Sequence, residues 1–212
     1  MRILHVSDTH GLLPELDTRT DIIVHSGDLL PNFSRGGPDE ACRQMEWIHE
    51  NALRLRAWIG TRPFLFIHGN HDFSTGTAEL LVGAGVDAVC LDDVVHTEQH
   101  VRFYGVPWTK YFTGEWNREL HPPEMRTVVD RIPAVDVLVA HGPPLGILDV
   151  NAQGERCGCP TMRNALDYAT IPMPVAYLCG HIHESHGILA RAFGAHPVVF
   201  SNAATTQHIL EI

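Results

Sequence analysis

Seven residues in this chain bring oxygen or imidazole donors to the ends of short apolar runs: Asp8, His10, Asp28, Asn70, His141, His181 and His183. They sit in the segments Asp8-Thr9-His10, Gly27-Asp28, Gly69-Asn70-His71-Asp72, His141-Gly142 and Gly180-His181-Ile182-His183. A donor set of carboxylate, amide and imidazole without thiolate suits Mn, Fe, Zn, Co or Ni. It suits neither a calcium loop nor a Cys-rich structural zinc site. Two such ions about 3.5–4 Å apart can hold a bridging hydroxide and clamp phosphoryl oxygens. They also depress the pKa of that water by several units, which gives a nucleophile at neutral pH. Asp28 has two carboxylate oxygens and can serve both ions, and one histidine is left over for proton transfer. Hydrolysis of a phosphate ester is the chemistry to expect.

Apolar runs lead into every one of these segments. Residues 3–7, 21–26, 64–68, 101–106, 135–140, 175–179 and 198–201 read as strands, most of them continuously apolar, as in sheets covered on both faces. The spacing of Ala41, Met45, Ile48, Ala52, Leu55 and Ile59 predicts a helix over 39–59 with those side chains on its buried face. Pro38 at its start, Asp39 and Glu40 in its first turn and Gly60 after its end agree with that reading. Weaker helical patterns cover 77–83, 122–131 and 160–169. Strands alternating with helices, then following in quicker succession, imply an α/β sandwich with mixed sheets. Ligands of open α/β sheets bind outside the carboxyl ends of strands, which is where the five segments fall. Asp8 and His10, two apart on a strand extension, are expected to face one side, and so are His181 and His183.

At 212 residues the chain fits one domain, 1–212, with no repeat, low-complexity tract or linker. A formal net charge of −10 argues against nucleic-acid grooves and anionic membrane surfaces, so an anionic substrate needs bound cations to hold it. Five cysteines (Cys42, Cys90, Cys157, Cys159, Cys179) are an odd count without a framework, and reduced thiols are expected. No signal-peptide pattern opens the chain and no apolar stretch is long enough to span a bilayer. The expectation is a soluble cytoplasmic protein.

The ordered set Asp-x-His, Gly-Asp, Gly-Asn-His-Asp, His-Gly and Gly-His-x-His, spanning residues 8 to 183, resembles the calcineurin-like metallophosphoesterase superfamily. That resemblance implies a four-layer α/β/β/α sandwich and a site of two divalent ions, with manganese favoured. One ion would take Asp8, His10, Asp28 and His183, and the other Asp28, Asn70, His141 and His181. His71 would be the catalytic histidine, stabilising the phosphoryl charge or protonating the leaving oxygen, with Asp72 orienting its ring. The segments Tyr104-Gly105-Val106-Pro107-Trp108, His141 to Gly146, Cys157-Gly158-Cys159-Pro160 and His183-Glu184 resemble the small branch that includes the vertebrate metallophosphoesterase-domain proteins. Some members of that branch carry glycine where this chain has His181, so retention of the histidine implies full occupancy by two ions. The branch is related to class III cyclic-nucleotide phosphodiesterases, which makes small phosphodiesters the leading substrate class.

Other residues make weaker claims. The aromatic stretch from Trp108 to Trp116 could stack on a nucleobase, with Lys110 on phosphate, but a loop folded on its own rings is the simpler expectation. Cys157 and Cys159 have no second pair to complete a zinc site and read as packing in a tight turn. His5, His25 and His68 precede the ligand segments and read as core histidines, while His186 and Asn202 are further pocket candidates. His49, His96, His100, His121, His196 and His208 read as surface or loop residues. Against the phosphodiesterase stand a catalytically silent scaffold for a protein partner, a phosphomonoesterase or phosphoprotein phosphatase, and a nuclease, which would need a basic flank.

Overall fold

The computed structural model describes residues 1–212 apart from Arg35 and Pro38, so the expected helix-opening role of Pro38 lies outside the described residues. In chain order the elements begin β1 (Arg2–Val6), β2 (Ile22–His25), α1 (Glu40–Ile59), β3 (Phe64–Phe66), α2 (Thr77–Gly83) and β4 (Ala88–Cys90). There follow β5 (Val95–Glu98), β6 (Val101–Val106), β7 (Thr109–Lys110), β8 (Glu119–Leu120), α3 (Pro122–Val129) and β9 (Val137–Ala140). The chain ends with α4 (Pro160–Asp167), β10 (Ala176–Cys179), β11 (Gly187–Phe193), β12 (His196–Asn202) and β13 (Gln207–Glu211).

Two large sheets result, ordered β13-β1-β2-β3-β4 and β11-β12-β10-β9-β6-β5. Their central neighbours are parallel, and the antiparallel pairs β1–β13, β11–β12 and β5–β6 lie towards the edges, so both sheets are mixed. Successive residues of a strand point to opposite faces, and here each face meets a different apolar cluster. Ile3, Ile22, Val24, Leu65, Val137, Val139, Ala176 and Leu178 fill the space between the sheets. Leu4, Ile23, Phe64 and Phe66 face outward onto Ile48, Leu55, Ile59 and Leu81 of α1 and α2. Leu138, Ala140 and Tyr177 face the other way, onto Met125, Val128, Met162 and Leu166 of α3 and α4. Three apolar seams make the four layers of an α/β/β/α sandwich.

The buried face of α1 departs from the apolar spacing at its start. Glu40, Gln44, Ile48, Leu55 and Ile59 are buried, whereas Met45 is exposed and Ala41 only half-buried. Glu40 and Gln44 tolerate burial because their polar atoms are matched. The Glu40 carboxylate accepts the Phe33 and Ser34 backbone N–H at 2.8 and 2.6 Å. Gln44 donates to the carbonyls of Pro31 and His71 and accepts from the N–H of Phe73 and Ser74. No helix among the described residues is long and apolar enough to cross a membrane.

Candidate metal centre

The carboxyl ends of β1, β2, β3, β9 and β10 deliver the five segments to one rim of the sandwich. Parallel central strands make this unavoidable, since all of them run the same way out of the core. Asp8 and His10 do face one site, but not along a strand extension: β1 ends at Val6 and both residues adopt left-handed backbone (φ 54° and 46°). Asp28 and His181 are also left-handed, at φ 57° and 69°, and His183 opens a short 3₁₀ turn rather than extending a strand. Backbone bonds carry the alignment past the strand ends: Asp8 N–H donates to Gly27 and His10 N–H to Asp28, each at 3.0 Å. Glycine permits the close approach. A Cβ on Gly69 would collide with the Asp28 carboxylate and the His141 ring, and one on Gly180 with Ser7 and Asp8.

Asp28 is the centre of the arrangement. Its Oδ2 faces Nε2 of His141 at 3.3 Å, of His10 at 3.9 Å and of His71 at 4.0 Å. Its Oδ1 accepts the His71 backbone N–H at 2.8 Å. Asp8 lies beside it, with Oδ1 3.3 Å from His183 Nε2 and Oδ2 accepting the His181 N–H at 2.9 Å. Ligand atoms of Asp8, His10 and His183 cluster within 4.8 Å of one another, as do those of Asp8, Asp28 and His141, and of His10, Asp28 and His71. Asn70 adds its Oδ1, 2.9 Å from His141 Nε2, and the His181 ring lies 5.0 Å from the His141 ring. His141 donates Nδ1–H to the Ser26 carbonyl at 2.9 Å, which leaves Nε2 as the ligating atom. The ligand atoms of Asp8, His10, Asp28, His141 and His183 therefore cluster, with Asn70 and the His181 ring adjoining them at His141. Acidic oxygens are interleaved with neutral-capable imidazoles around two adjacent points, and this donor set fits a pair of divalent ions.

The electrostatics follow from burying two carboxylates. Burial alone would raise Asp28, but the charge and hydrogen bond of His141, with His71 and His10, hold it far below the usual carboxylate range. Asp8 is likewise raised by burial and lowered on balance by His183 and His141. His141 answers in the opposite direction: burial lowers it, yet Asp28 and Asp8 push it up to about 9. Half-buried His181 is pulled down to about 4 by the loss of water around its ring and by neighbouring His141. Bound cations would take over the neutralising role that a protonated His141 plays in their absence.

Asp72 does not orient the His71 ring. Its carboxylate accepts backbone N–H groups of Gly69, Leu29 and Leu30 at 2.8, 3.3 and 2.9 Å, so it ties the β2 and β3 loops together. The ring partner is Asn32, whose Oδ1 lies 2.8 Å from His71 Nδ1. Sequence reading missed Asn32, whose one signal is its place in the loop just after Asp28. Nor does the aromatic stretch fold on its own rings. Trp116 lies against His71 (ring centroids 3.9 Å apart), Phe112 approaches His181 at 5.4 Å, and Tyr111 stacks on His121.

A cavity of about 380 Å³ opens over the centre, lined by Asp28, Asn70, His71, His181 and His183 and closed by Lys110, Phe112, Asn151, Cys157 and Glu184. Cys157 thus faces the site, while Cys159 caps α4, its Sγ accepting the Met162 N–H. His186 and Asn202 do not line it; Asn202 instead donates to the carbonyls of Leu148 and Ile182 and shapes the histidine loop from behind. His5 is buried between the hydroxyls of Ser26 and Ser201, His25 meets Thr9, and His68 is bonded to Asp92, all away from the cavity.

Several known proteins are similar to this chain. Metallophosphoesterase domain-containing protein 1 of Homo sapiens is 28% identical over 89% of this chain and 62% of its own length, and the mouse protein matches equally. This chain thus spans about three-fifths of those relatives. A UPF0046 protein of Caenorhabditis elegans is 28% identical over 99% of this chain and 77% of its own. The crystal structure of a 5'-nucleotidase precursor from Thermus thermophilus overlays 95% of this chain and 48% of its own, with a TM-score of 0.46 and 14% identity. The family model for calcineurin-like phosphoesterases matches residues 1–185, and the chain belongs to that family.

Proposed function

We propose that the protein is a metal-dependent phosphohydrolase of small phosphodiesters, cyclic nucleotides among them, that works with manganese and acts as one domain over residues 1–212. The observation that carries the reading is the convergence of three histidine Nε2 atoms on one oxygen of buried Asp28, at the floor of an open cavity. A carboxylate so placed would serve both ions when they are bound. When bound, the ions supply Lewis acidity towards the phosphoryl oxygens and an activated water.

The chain's own residues do the rest. Asp8, His10, Asp28 and His183 would hold one ion; Asp28, Asn70, His141 and His181 would hold the other. Nδ2 of Asn70 is buried in the cavity wall with no hydrogen-bond partner, a donor left for a substrate oxygen. His71 Nε2 faces the reacting region and transfers the proton that the leaving oxygen needs. Lys110 is half-buried in the wall, with no carboxylate paired to it among the described residues, and offers its ammonium to a phosphoryl oxygen. Phe112 beside it offers a ring face to a nucleobase. A cavity of this size admits a mononucleotide rather than a polymer groove, and the acidic net charge supports the same choice.

The test loads the protein with Mn, Fe, Zn, Co or Ni in turn and assays a chromogenic phosphodiester, cyclic nucleotides, mononucleotides and phosphopeptides. Turnover of diesters above monoesters, strongly reduced in His71→Ala at unchanged metal content, is expected. Two ions bound per chain without turnover of any ester would place the protein among silent scaffolds.

A further inference from the structure

His71 is gripped by residues outside the ligand segments, and the grip is rigidly built. On one side Asn32 presents Oδ1 to Nδ1 of the ring at 2.8 Å, while its Nδ2 lies 3.5 Å from Nδ1 of His10, so one amide sits between the two rings. On the other side the Trp116 ring covers His71 with its plane tilted by 40°. The loop carrying Asn32 is pinned by Glu40, and Gln44 ties both that loop and the His71 turn to α1, at 3.2 and 2.7 Å. The Trp116 loop is pinned to the same turn. Asn117 donates its N–H to the Asn70 carbonyl at 3.0 Å and its side-chain amide to Asp72 O at 3.2 Å, and Arg118 donates to Asp72 O at 2.5 Å. Three loops therefore meet on one imidazole that ligates nothing in the proposed scheme.

We propose that Asn32 is a positioning residue that fixes His71 as its Nδ1–H tautomer, with Trp116 holding the plane of the ring. A carbonyl oxygen can only accept, so the ring nitrogen that meets it carries hydrogen. A neutral imidazole has one such hydrogen, and Nε2 is then left with a bare lone pair, 4.0 Å from Asp28 Oδ2 and facing the cavity. Nε2 is thus the atom that takes a proton from solvent, passes it to the leaving oxygen and returns to its bare lone pair, while Nδ1 keeps its own throughout. A carboxylate in this place would add a charge that favours the doubly protonated ring; a neutral amide fixes direction without adding charge. The catalytic consequence rests on the phosphohydrolase reading, whereas the tautomer can be read without substrate or metal.

Long-range ¹H–¹⁵N NMR of metal-free protein, at alkaline pH where the ring is neutral, measures the tautomer, with His71→Gln used for assignment. We expect a protonated Nδ1 and a bare Nε2 in the wild type, a shift towards the Nε2–H form in Asn32→Ala, and retention of Nδ1–H in Asn32→Asp. A wild-type Nε2–H ring, or an unchanged tautomer in Asn32→Ala, overturns the proposal. In manganese-loaded protein Asn32→Ala should lower kcat about tenfold or more with KM and metal content unchanged. Trp116→Leu should keep the tautomer and lower kcat less. Parallel loss of metal and kcat in Asn32→Ala, not rescued by Asn32→Asp, would instead make Asn32 a structural residue. If the wild type turns over no phosphoester, the proposed function falls while the spectrum still decides the tautomer.

Discussion

The side-chain amide of Gln44 donates to the backbone carbonyl of His71 at 2.7 Å, from a helix that contributes nothing to the cavity wall. The same side chain accepts the N–H groups of Phe73 and Ser74, so one buried residue holds the whole turn that follows β3. Gln44→Ala strands these backbone groups in the interior. It should cost about 3 kcal/mol of stability, read by chemical denaturation, and lower turnover without touching a ligand. Gln44→Glu keeps the acceptor and loses the donors, so it should fall between the wild type and alanine.

Asp28→Asn removes charge from the one carboxylate that faces three histidines. Elemental analysis should find both ions weakened together, with the fold intact by circular dichroism. A variant that still binds two ions tightly would mean that the shared ligand is another group.

The meeting of the ligand side chains was legible because parallel strands must all unload at one rim, and because carboxylate, amide and imidazole are chemically marked wherever they stand. Seven apolar runs sufficed to find the central strands. The edge strands β5 and β11 escaped notice because each is solvated over much of its length and shows no buried run. The apolar spacing points to Ala41 and Met45 rather than Glu40 and Gln44 because periodicity counts apolar residues. A polar residue buried with all its hydrogen bonds satisfied leaves no such trace. Asn32 and Trp116 act through contacts between distant loops, and nothing in their local sequence encodes the partner.

Glu119 governs the aromatic loop by a means that responds to pH. Its carboxylate accepts the backbone N–H groups of Phe112, Thr113, Gly114 and Trp116 at 2.8 to 3.2 Å. Burial would raise Glu119, but these four donors outweigh it and hold the pKa below the usual value of 4.5. The folded pKa lies below the unfolded one, so the loop's added stability is present above the unfolded value and is lost as pH falls through the folded one. Trp116 fluorescence, isolated by subtracting Trp116→Phe, should report loosening on acidification. Glu119→Gln should loosen the loop at neutral pH and abolish that acid step.

Gly69→Ala changes no ligand yet drives a methyl group into Asp28 and His141. Metal content should fall nearly as far as in Asp28→Asn. Gly83→Ala, where a Cβ meets nothing within 4 Å and the backbone, as at Gly69, is not left-handed, is the control for an added methyl group. Equal metal loss in both variants would show that general destabilisation, not crowding, empties the centre.

The left-handed backbone at His181 sets an asymmetry between its two kinds of substitution. A side chain there costs about 1 kcal/mol in conformational strain that glycine does not incur. His181→Gly should therefore surrender one ion while the metal-free protein melts no lower, and Tm with a metal titration on the same sample checks both halves. Losing this imidazole is a downhill step for the fold and an uphill one for chemistry.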